Sequence, residues 1–174
     1  GLEERKDNTK KIIDRVGEGY RCDGSLLENT IKILKVRNRL SLIHNPEQYG
    51  ATIEDQYFSV ALELCITWLN RVLFLKLLEG QLVSYHNNND DYRFLNETRI
   101  RDFDELNELF FEVLAVKYDQ RSQGINEKYH NIPYLNSSLF EETDLERSTI
   151  TIAELKDRFS LPLHGKTVLN LRAH

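Results

Sequence analysis

The sequence has few of the features that identify secreted proteins, membrane proteins and nucleic-acid-binding proteins. Its two cysteines, Cys22 and Cys65, lie far apart, which argues for free thiols in a reducing compartment rather than a disulfide framework. The formal net charge of −5 at pH 7 supplies no broad basic surface, so any DNA contact has to be local or made by another domain. Signal-peptide and lipidation motifs do not occur in it. These features predict a cytoplasmic protein.

The sequence also has none of the common catalytic or cofactor-binding motifs. It contains no phosphate-binding loop, no serine-hydrolase elbow, no zinc-protease motif and no glycine-rich dinucleotide loop. The glycines of Gly17-Glu18-Gly19 follow no strand and indicate a turn. None of the five histidines has a second histidine or a cysteine at metal-ligand spacing. We therefore expect no catalytic, cofactor-binding or metal-binding residue in this chain.

The sequence does contain one long apolar stretch, residues 59–82, reading SVALELCITWLNRVLFLKLLEGQL. Its apolar residues exceed the single stripe that a surface helix needs, and a helix that is apolar nearly all round is buried on nearly all sides. Four charged residues interrupt the stretch, so no uncharged run approaches the roughly 20 residues of a membrane span. These four are Glu63, Arg71, Lys76 and Glu79. The stretch predicts the central core helix of a mainly α-helical bundle.

The polar residues of this stretch follow a helical spacing. Glu63, Thr67, Asn70 and Arg71 occur at i, i+4, i+7 and i+8, which predicts one narrow polar seam that Glu79 continues. Buried charges need partners or cost several kcal/mol each. We expect this seam to be buried and to meet polar groups of another segment, as a satisfied internal network rather than a ligand site.

Helix-start signals and apolar periodicity divide the chain into three parts. Residues 1–25 predict a frayed N-terminal helix and a loop, partly mobile. Residues 26–121 predict the bundle, with 59–82 packed by 27–43 and 106–116. Capping boxes mark its three helix starts, at Ser25 with Glu28, Thr52 with Asp55, and Asp102 with Glu105. Residues 122–174 predict a loop-rich arm with short strand or irregular pieces. The first residue is not Met and the chain ends abruptly, which suggests an excised part of a longer protein.

Four basic residues in the first predicted helix are candidate contacts to the DNA backbone. They are Lys32, Lys35, Arg37 and Arg39. Phosphate contacts position a protein on DNA without specifying sequence. The alternative is an ordinary solvated helix face, which is the usual role of a charge run in an acidic chain.

Two further patterns resemble catalytic motifs only weakly. Glu154-Leu155-Lys156 has the E-x-K spacing of metal-dependent nucleases, and Asp144 would supply the upstream carboxylate. A solvated helix face explains the same residues more simply. Residues 131–134, NIPY, differ by one residue from the NPPY loop that holds a flipped base in amino-methyltransferases. Because its first proline is missing and no apolar strand precedes it, we do not assign it a catalytic role.

Two segments together carry a resemblance to a known family. NRVLFLKLLEG, residues 70–80, resembles a helix that precedes the catalytic domain in large bacterial restriction-modification methyltransferases. IPYLNSSLFE, residues 132–141, is similar to the proline-tyrosine-leucine-asparagine segment that follows, where those proteins commonly have two glycines in place of Ser137 and Ser138. The order of the segments and the intervening FDELNELFFEVLAV also match single-chain type IIG enzymes. The resemblance covers residues 53–159.

The resemblance implies a non-catalytic helical connector between a nuclease domain and a DNA adenine methyltransferase. The motifs for S-adenosylmethionine and for the target base would lie beyond His174, and Mg²⁺ would belong to the nuclease of the parent protein. The partners would be the rest of the polypeptide and, through it, DNA, but no membrane. Four residues of the arm would form the interdomain contact: Tyr134, Leu135, Leu139 and Phe140. Two alternatives stay open, a stand-alone protein-interaction module and a nuclease fragment using Asp144, Glu154 and Lys156.

Overall fold

A computed structural model describes residues 2–7 and 10–156 of the chain and is mainly helical, as the sequence predicts. Its longest element is the helix α2, Ile53–Tyr85, which contains the apolar stretch. The predicted capping box starts it: Asp55 N donates to Thr52 Oγ1 and Thr52 N donates to Asp55 Oδ2, both over 3.1 Å. Local side chains therefore satisfy the first backbone donors of the helix on which the remaining elements pack.

The helix α1, Leu26–Val36, lies against α2 and ends earlier than predicted. Ser25 caps its start, with Glu28 N donating to Ser25 Oγ over 3.3 Å. The helical periodicity predicted an element up to residue 43, but Asn38 adopts the left-handed conformation at φ 49°. Asparagine tolerates this conformation and commonly ends helices with it. The chain then continues in two short 3₁₀ turns, Arg39–Leu42 and Pro46–Tyr49.

The N-terminal segment forms a β-hairpin, so the prediction of a frayed helix is wrong. The strands β1, Leu2–Asp7, and β2, Lys10–Arg15, pair antiparallel with Leu2 opposite Arg15. A segment this rich in charge carries little hydrophobic periodicity, whereas a hairpin is held by backbone hydrogen bonds that the sequence pattern does not reveal. The Arg15 side chain joins the hairpin to α1 through an ion pair with Glu28.

The third helix packs its apolar face into the core as predicted, but its geometry changes midway. The helix α3, Phe103–Glu108, begins at Asp102, whose carboxylate accepts from Glu105 N over 2.9 Å. The Glu105 carboxylate does not complete the box. It accepts instead from the side chain and backbone N–H of Arg101, which lower the pKa of Glu105 to about 2. A π-helical turn, Leu109–Leu114, continues α3. Five apolar residues at the predicted spacing are buried: Leu106, Leu109, Phe110, Val113 and Leu114.

The described part of the predicted arm, residues 122–156, is packed into the same core as residues 26–121. It contains α4, Gln123–Lys128, and α5, Asp144–Ser148, with 3₁₀ turns at Ser138–Phe140 and Ile152–Glu154. No strand occurs in residues 122–156, and residues 157–174 lie outside the described residues. The core includes eight of its apolar side chains: Ile125, Tyr129, Ile132, Phe140, Leu145, Ile150, Ile152 and Leu155. This packing differs from an arm that waits for another domain.

The two sides of α2 differ in burial, which corrects the expectation that it is buried nearly all round. Its inner side faces the core, and Val60, Trp68 and Leu75 are fully enclosed there. Its outer side leaves Leu73 and Leu77 in contact with solvent. By length and composition α2 could cross a membrane, but core helices commonly meet the same criteria. Both cysteines are free thiols, as predicted, with Cys22 exposed and Cys65 buried.

Candidate functional site

The guanidinium of Arg71, which α2 places in the core with 0 % exposure, makes four hydrogen bonds. It forms a double ion pair with Glu146 of α5: Nη1 lies 2.5 Å from Oε1 and Nη2 lies 2.8 Å from Oε2. Its remaining donors bind backbone carbonyls, Nε to Leu139 O over 2.6 Å and Nη2 to Glu141 O over 2.7 Å. One side chain of α2 therefore holds the whole of residues 139–146.

Glu146 is equally enclosed and has further donors. Trp68 Nε1 donates to its Oε1 over 2.8 Å, one helical turn before Arg71 on α2. Thr143 N donates to its Oε2 over 2.8 Å, and Glu146 N donates to Thr143 Oγ1, which completes a capping box at the start of α5. Burial opposes the charge of this carboxylate, but the donors outweigh burial and hold the pKa of Glu146 below its ordinary value.

Aromatic rings enclose the ion pair. The guanidinium carbon of Arg71 lies 5.0 Å from the ring centre of Phe111 and 5.6 Å from that of Phe110. Phe140 packs edge-on against Phe74 of α2 at a centroid distance of 5.8 Å. The rings exclude water from the charges, which strengthens the hydrogen bonds and raises the cost of losing one partner. This Arg71 cluster has no space for a substrate, and its role is to position segments of the chain.

The prediction that the polar seam is buried and meets another segment is correct for Arg71. It is wrong for Glu63, Thr67 and Asn70. Glu63 and Asn70 are exposed, and the half-buried Thr67 donates its hydroxyl to Glu63 O over 3.0 Å. A spacing of eight residues rotates a helix by about 80° beyond two full turns, so Glu63 and Arg71 face different neighbours. Glu79, which was predicted to continue the seam, is buried. It accepts from Leu95 N over 2.6 Å and belongs to a separate contact with the loop that follows α2.

The four predicted interdomain residues divide between core and surface. Phe140 is fully buried, so it contacts this chain rather than another domain, and Leu135 and Leu139 are half-buried against the core. Leu135 N donates to Leu114 O over 2.9 Å. Tyr134 stays at the surface, where its hydroxyl donates to Asn136 Oδ1 over 3.2 Å. Dense apolar content in a loop was therefore a signal of internal packing for three of the four.

Tyr134 borders a shallow surface groove rich in aromatic side chains. The rings of His86 and Tyr92 stack there, parallel to within 3° and with centroids 3.8 Å apart. The groove contains no Asp, Glu, Lys or Arg among its lining residues, which are Leu82, His86, Tyr92, Tyr118, His130, Asn131, Ile132, Pro133 and Tyr134. NIPY therefore lies in the wall of an open groove, which is not the enclosed pocket that a flipped base requires.

Arg121 lies on the buried side of this groove and contacts its wall, and the sequence did not identify it as a functional candidate. It is buried, and it donates from Nε to Val116 O over 3.0 Å and from Nη1 to Ile132 O over 2.9 Å. Within residues 2–7 and 10–156 its Nη2 has no hydrogen-bond partner. Burial without a carboxylate partner lowers the pKa of this guanidinium. No periodic pattern surrounds Arg121 in the sequence, and the Ser122 that caps α4 is the only nearby signal.

Three of the four candidate DNA-contacting residues are paired with carboxylates of this chain. Lys35 Nζ lies 2.6 Å from Glu54 Oε1, Arg37 pairs with Glu154, and Arg39 Nη2 lies 3.6 Å from the same Glu154 carboxylate. Lys32 is exposed and has no ion pair in the described part of the chain. The face that α1 presents to a phosphate therefore has much less available positive charge than its sequence indicates.

The structure does not bring the nuclease candidates together. Asp144 pairs with Arg147 at the start of α5, Glu154 pairs with Arg37 and Arg39, and Lys156 pairs with Asp104 of α3. Glu154 also accepts from Thr151 N as the partner in a capping box. Across the described residues no group of three metal-ligating side chains occurs. Their arrangement fits structural ion pairs at three separate places.

The whole chain, residues 1–174, matches a family described as a domain of unknown function, DUF7814, and the chain therefore belongs to this family. Neither a curated protein nor a solved structure is significantly similar to it.

Proposed function

We propose that this chain is a non-catalytic helical scaffold of a bacterial restriction-modification DNA adenine methyltransferase, where it fixes the position of neighbouring domains. The observation that supports it best is the Arg71 cluster. The two segments that carry the resemblance, residues 70–80 and 132–141, are far apart in sequence, and Arg71 and Phe74 of the first hold Leu139 and Phe140 of the second. Their separate motifs thus form one structural unit.

This structural unit anchors both ends of a surface loop, residues 133–138. Arg121 binds the carbonyl of Ile132 before the loop, and Arg71 binds the carbonyls of Leu139 and Glu141 after it. Between these anchors Pro133, Asn136, Ser137 and Ser138 are exposed, with Tyr134 half-exposed. A loop on a rigid helical support is the usual arrangement for a recognition surface. We infer that it contacts the methyltransferase domain.

In this proposal S-adenosylmethionine, Mg²⁺ and the target base are bound by other parts of the parent protein. DNA reaches the scaffold through those parts, and of the four candidate residues Lys32 is the one without an ion pair in the described part of the chain. A single cation contributes little sequence-independent affinity, so we expect the chain alone to bind DNA weakly and with a shallow salt dependence. Catalysis would depend on the scaffold through domain orientation, to which reaction rates are very sensitive.

A stand-alone interaction module is the second candidate, because the same supported loop could bind a separate protein. The two functions differ in where the partner is encoded. In the first, the partner domain is part of the polypeptide that contains this chain, and in the second it is another gene product.

The test uses the complete open reading frame that contains this chain and, beside it, the chain alone. Transfer of labelled methyl groups from S-adenosylmethionine to DNA is measured for both. We expect the complete protein to methylate DNA and the chain alone neither to bind the cofactor nor to methylate. Tyr134→Ala in the complete protein should lower the rate by about tenfold or more through lost domain positioning.

Tyr20→Ala is the matched control, because Tyr20 is an exposed tyrosine far from the loop in sequence, at 87 % exposure. It should leave the methylation rate unchanged. A complete protein that transfers no methyl group would overturn the proposal. If the chain alone then binds a separate protein through the Tyr134 loop, the interaction module takes its place.

A further inference from the structure

The outer side of α2 carries a line of apolar side chains that no described segment covers. We define this outer stripe as Leu62, Ile66, Leu69, Leu73 and Leu77. Ile66 and Leu73 are each 50 % exposed and Leu77 is 70 % exposed, while Leu62 and Leu69 are half-buried at the edge. The spacing of four, three, four and four residues keeps them on one face of the helix over four turns.

Such a face is unusual for the surface of a protein. Isolated exposed apolar residues are normal, but a continuous line of them marks a surface that another molecule covers. Between residues 59 and 80 the other exposed residues on this face are Asn70 and Gly80, with charges at its margins, at Glu63 and Lys76. Beyond this section, the exposed Asp55 and Ser84 lie on the same face at the two ends of α2. Water therefore meets a mostly uncharged helical surface.

The spacing of the stripe is symmetric about a point between Leu69 and Asn70. Leu62 and Leu77 lie at equal distances from this point, as do Ile66 and Leu73. If a copy of α2 is turned end for end about it, Leu62 comes level with Leu77 and Ile66 with Leu73. These four apolar side chains then meet apolar side chains, whereas Leu69 comes level with Asn70 beside the axis. The two apolar pairs provide the self-complementarity that a two-fold interface requires.

The marginal charges and the small residues follow the same symmetry. Glu63 and Lys76 are equidistant from the point, so an antiparallel copy brings opposite charges level, whereas a parallel copy would align like charges. Within its own chain Lys76 Nζ also donates to Glu79 Oε1 over 3.1 Å and to Leu95 O over 2.7 Å. Ser59 and Gly80 form the next equidistant pair. A Cβ added at Gly80 would meet nothing within 4 Å, and this glycine lies in a shallow depression beside Leu77. Small residues at both ends allow two helices to approach closely.

We propose that α2 is the interface of a homodimer in which a second copy of this chain packs antiparallel on the outer stripe, with the two-fold axis between Leu69 and Asn70. This interface goes beyond the proposed scaffold function and does not depend on it. From residue 59 to residue 80 the surface is about 33 Å long and about 12 Å wide, so it buries roughly 800 Å² over both copies. This area is smaller than the roughly 1,200–2,000 Å² of stable complexes, so the dimer is weak and reversible.

Sedimentation equilibrium of the purified protein from about 1 to about 300 µM tests the dimer. We expect a concentration-dependent shift from monomer to dimer. Leu73→Glu places two carboxylates close to the axis and should raise the dissociation constant at least about a hundredfold, because charge is introduced into an apolar contact. Val36→Glu is the matched control, since Val36 is 79 % exposed on α1, and it should leave the dissociation constant unchanged.

Crosslinking distinguishes the antiparallel arrangement from other dimers. In a Cys22→Ser background, Asn70→Cys places two thiols beside the axis, where a short bis-maleimide joins them. Ser84→Cys lies on the same face, but its two copies would be about 43 Å apart and should not be joined. A protein that stays monomeric, a dimer unaffected by Leu73→Glu, or equal crosslinking at both positions would overturn the proposal.

Discussion

The inner and outer faces of α2 reverse the usual relation between polarity and burial. On the inner face Arg71 carries a full charge and is 0 % exposed, whereas on the outer face Leu77 is apolar and 70 % exposed. The difference lies in the partners. Arg71 has Glu146 and two carbonyls within hydrogen-bond distance, and Leu77 has no covering segment in the described part of the chain. Burial in this helix is decided by what each side chain can contact.

The largest expected effect comes from removing the partner on the inner face. Glu146→Ala leaves the Arg71 charge buried without a carboxylate, and it should lower the free energy of unfolding by about 3–5 kcal/mol, measured by urea denaturation. The double variant Arg71→Met with Glu146→Leu removes both charges and should recover most of this loss. A loss below about 1 kcal/mol for Glu146→Ala would show that water reaches the charge.

Leu75 and Leu77 lie half a helical turn apart, on the inner and the outer face, so they allow a direct comparison of how much each face contributes to stability. Leu75→Ala removes a side chain with 0 % exposure and should cost about 2–5 kcal/mol of unfolding free energy, because it creates a cavity. Leu77→Ala is the matched outer variant and should change it by no more than about 0.5 kcal/mol at concentrations where the protein is monomeric. Equal costs would mean that the outer face is covered within one chain.

The hydrogen bond from the indole of Trp68 should contribute a smaller amount of unfolding free energy than the contacts above. Trp68→Phe keeps an aromatic ring but removes the Nε1–H that donates to Glu146. We expect a loss of about 1.5–3 kcal/mol in chemical denaturation, the range for a hydrogen bond to a charged group. Because Glu146 links both residues, Trp68→Phe should cost much less in the Arg71→Met, Glu146→Leu background than in the natural protein.

Lowering the pH should reduce the stability that the contacts of the inner face provide, because they include a carboxylate. The pKa of Glu146 is lowered in the folded state, so its contribution to stability is present above about pH 4.5 and is lost as the pH falls through the folded value. The natural protein should therefore lose unfolding free energy below about pH 4.5 in urea titrations. Glu146→Gln should reduce this dependence, and part of it should remain because the pKa of Glu105 is also lowered in the folded state. Leu77→Ala, which removes no titratable group, is the control on the outer side and should leave the slope as it is.

The reactivity of the two thiols tests whether the inner face of α2 stays closed, and this is the smallest of the expected effects. Burial raises the pKa of Cys65 to about 12, whereas Cys22 is exposed. Since the thiolate is the reactive form, one thiol per chain should react rapidly with a disulfide reagent at pH 8, and the second only in denaturant. Two rapidly reacting thiols in the folded protein would mean that α1 and α2 separate easily.

Local signals in the sequence predicted local structure well. The caps at Ser25, Thr52 and Asp102 involve residues three positions apart, and all three helices begin where these signals indicate. The apolar spacing in α3 was also sufficient to identify its buried face, although not the π-helical turn. The central helix was recognised from its composition, because no other segment of this chain is so long and so apolar.

Contacts between distant segments could not be predicted in the same way. The need of Arg71 for a partner followed from its place in an apolar helix, but the surroundings of Glu146 carry only a capping-box pattern with Thr143, which indicates neither burial nor a distant partner. Lys35 and Arg37 likewise read as free cations until Glu54 and Glu154 are placed beside them. Periodicity describes one element at a time, whereas these pairs depend on how the elements pack.

The Arg71 and Glu146 pair also bears on how the chain folds during synthesis. The two residues are 75 positions apart. At a synthesis rate of about 5–20 residues per second, Glu146 is made roughly 4–15 s after Arg71. During this interval α2 carries an arginine whose counter-ion does not yet exist, so its inner face cannot close over that charge. The domain should therefore stay open on the nascent chain until α5 arrives, and chains arrested before residue 146 should be preferred substrates for chaperones and proteases.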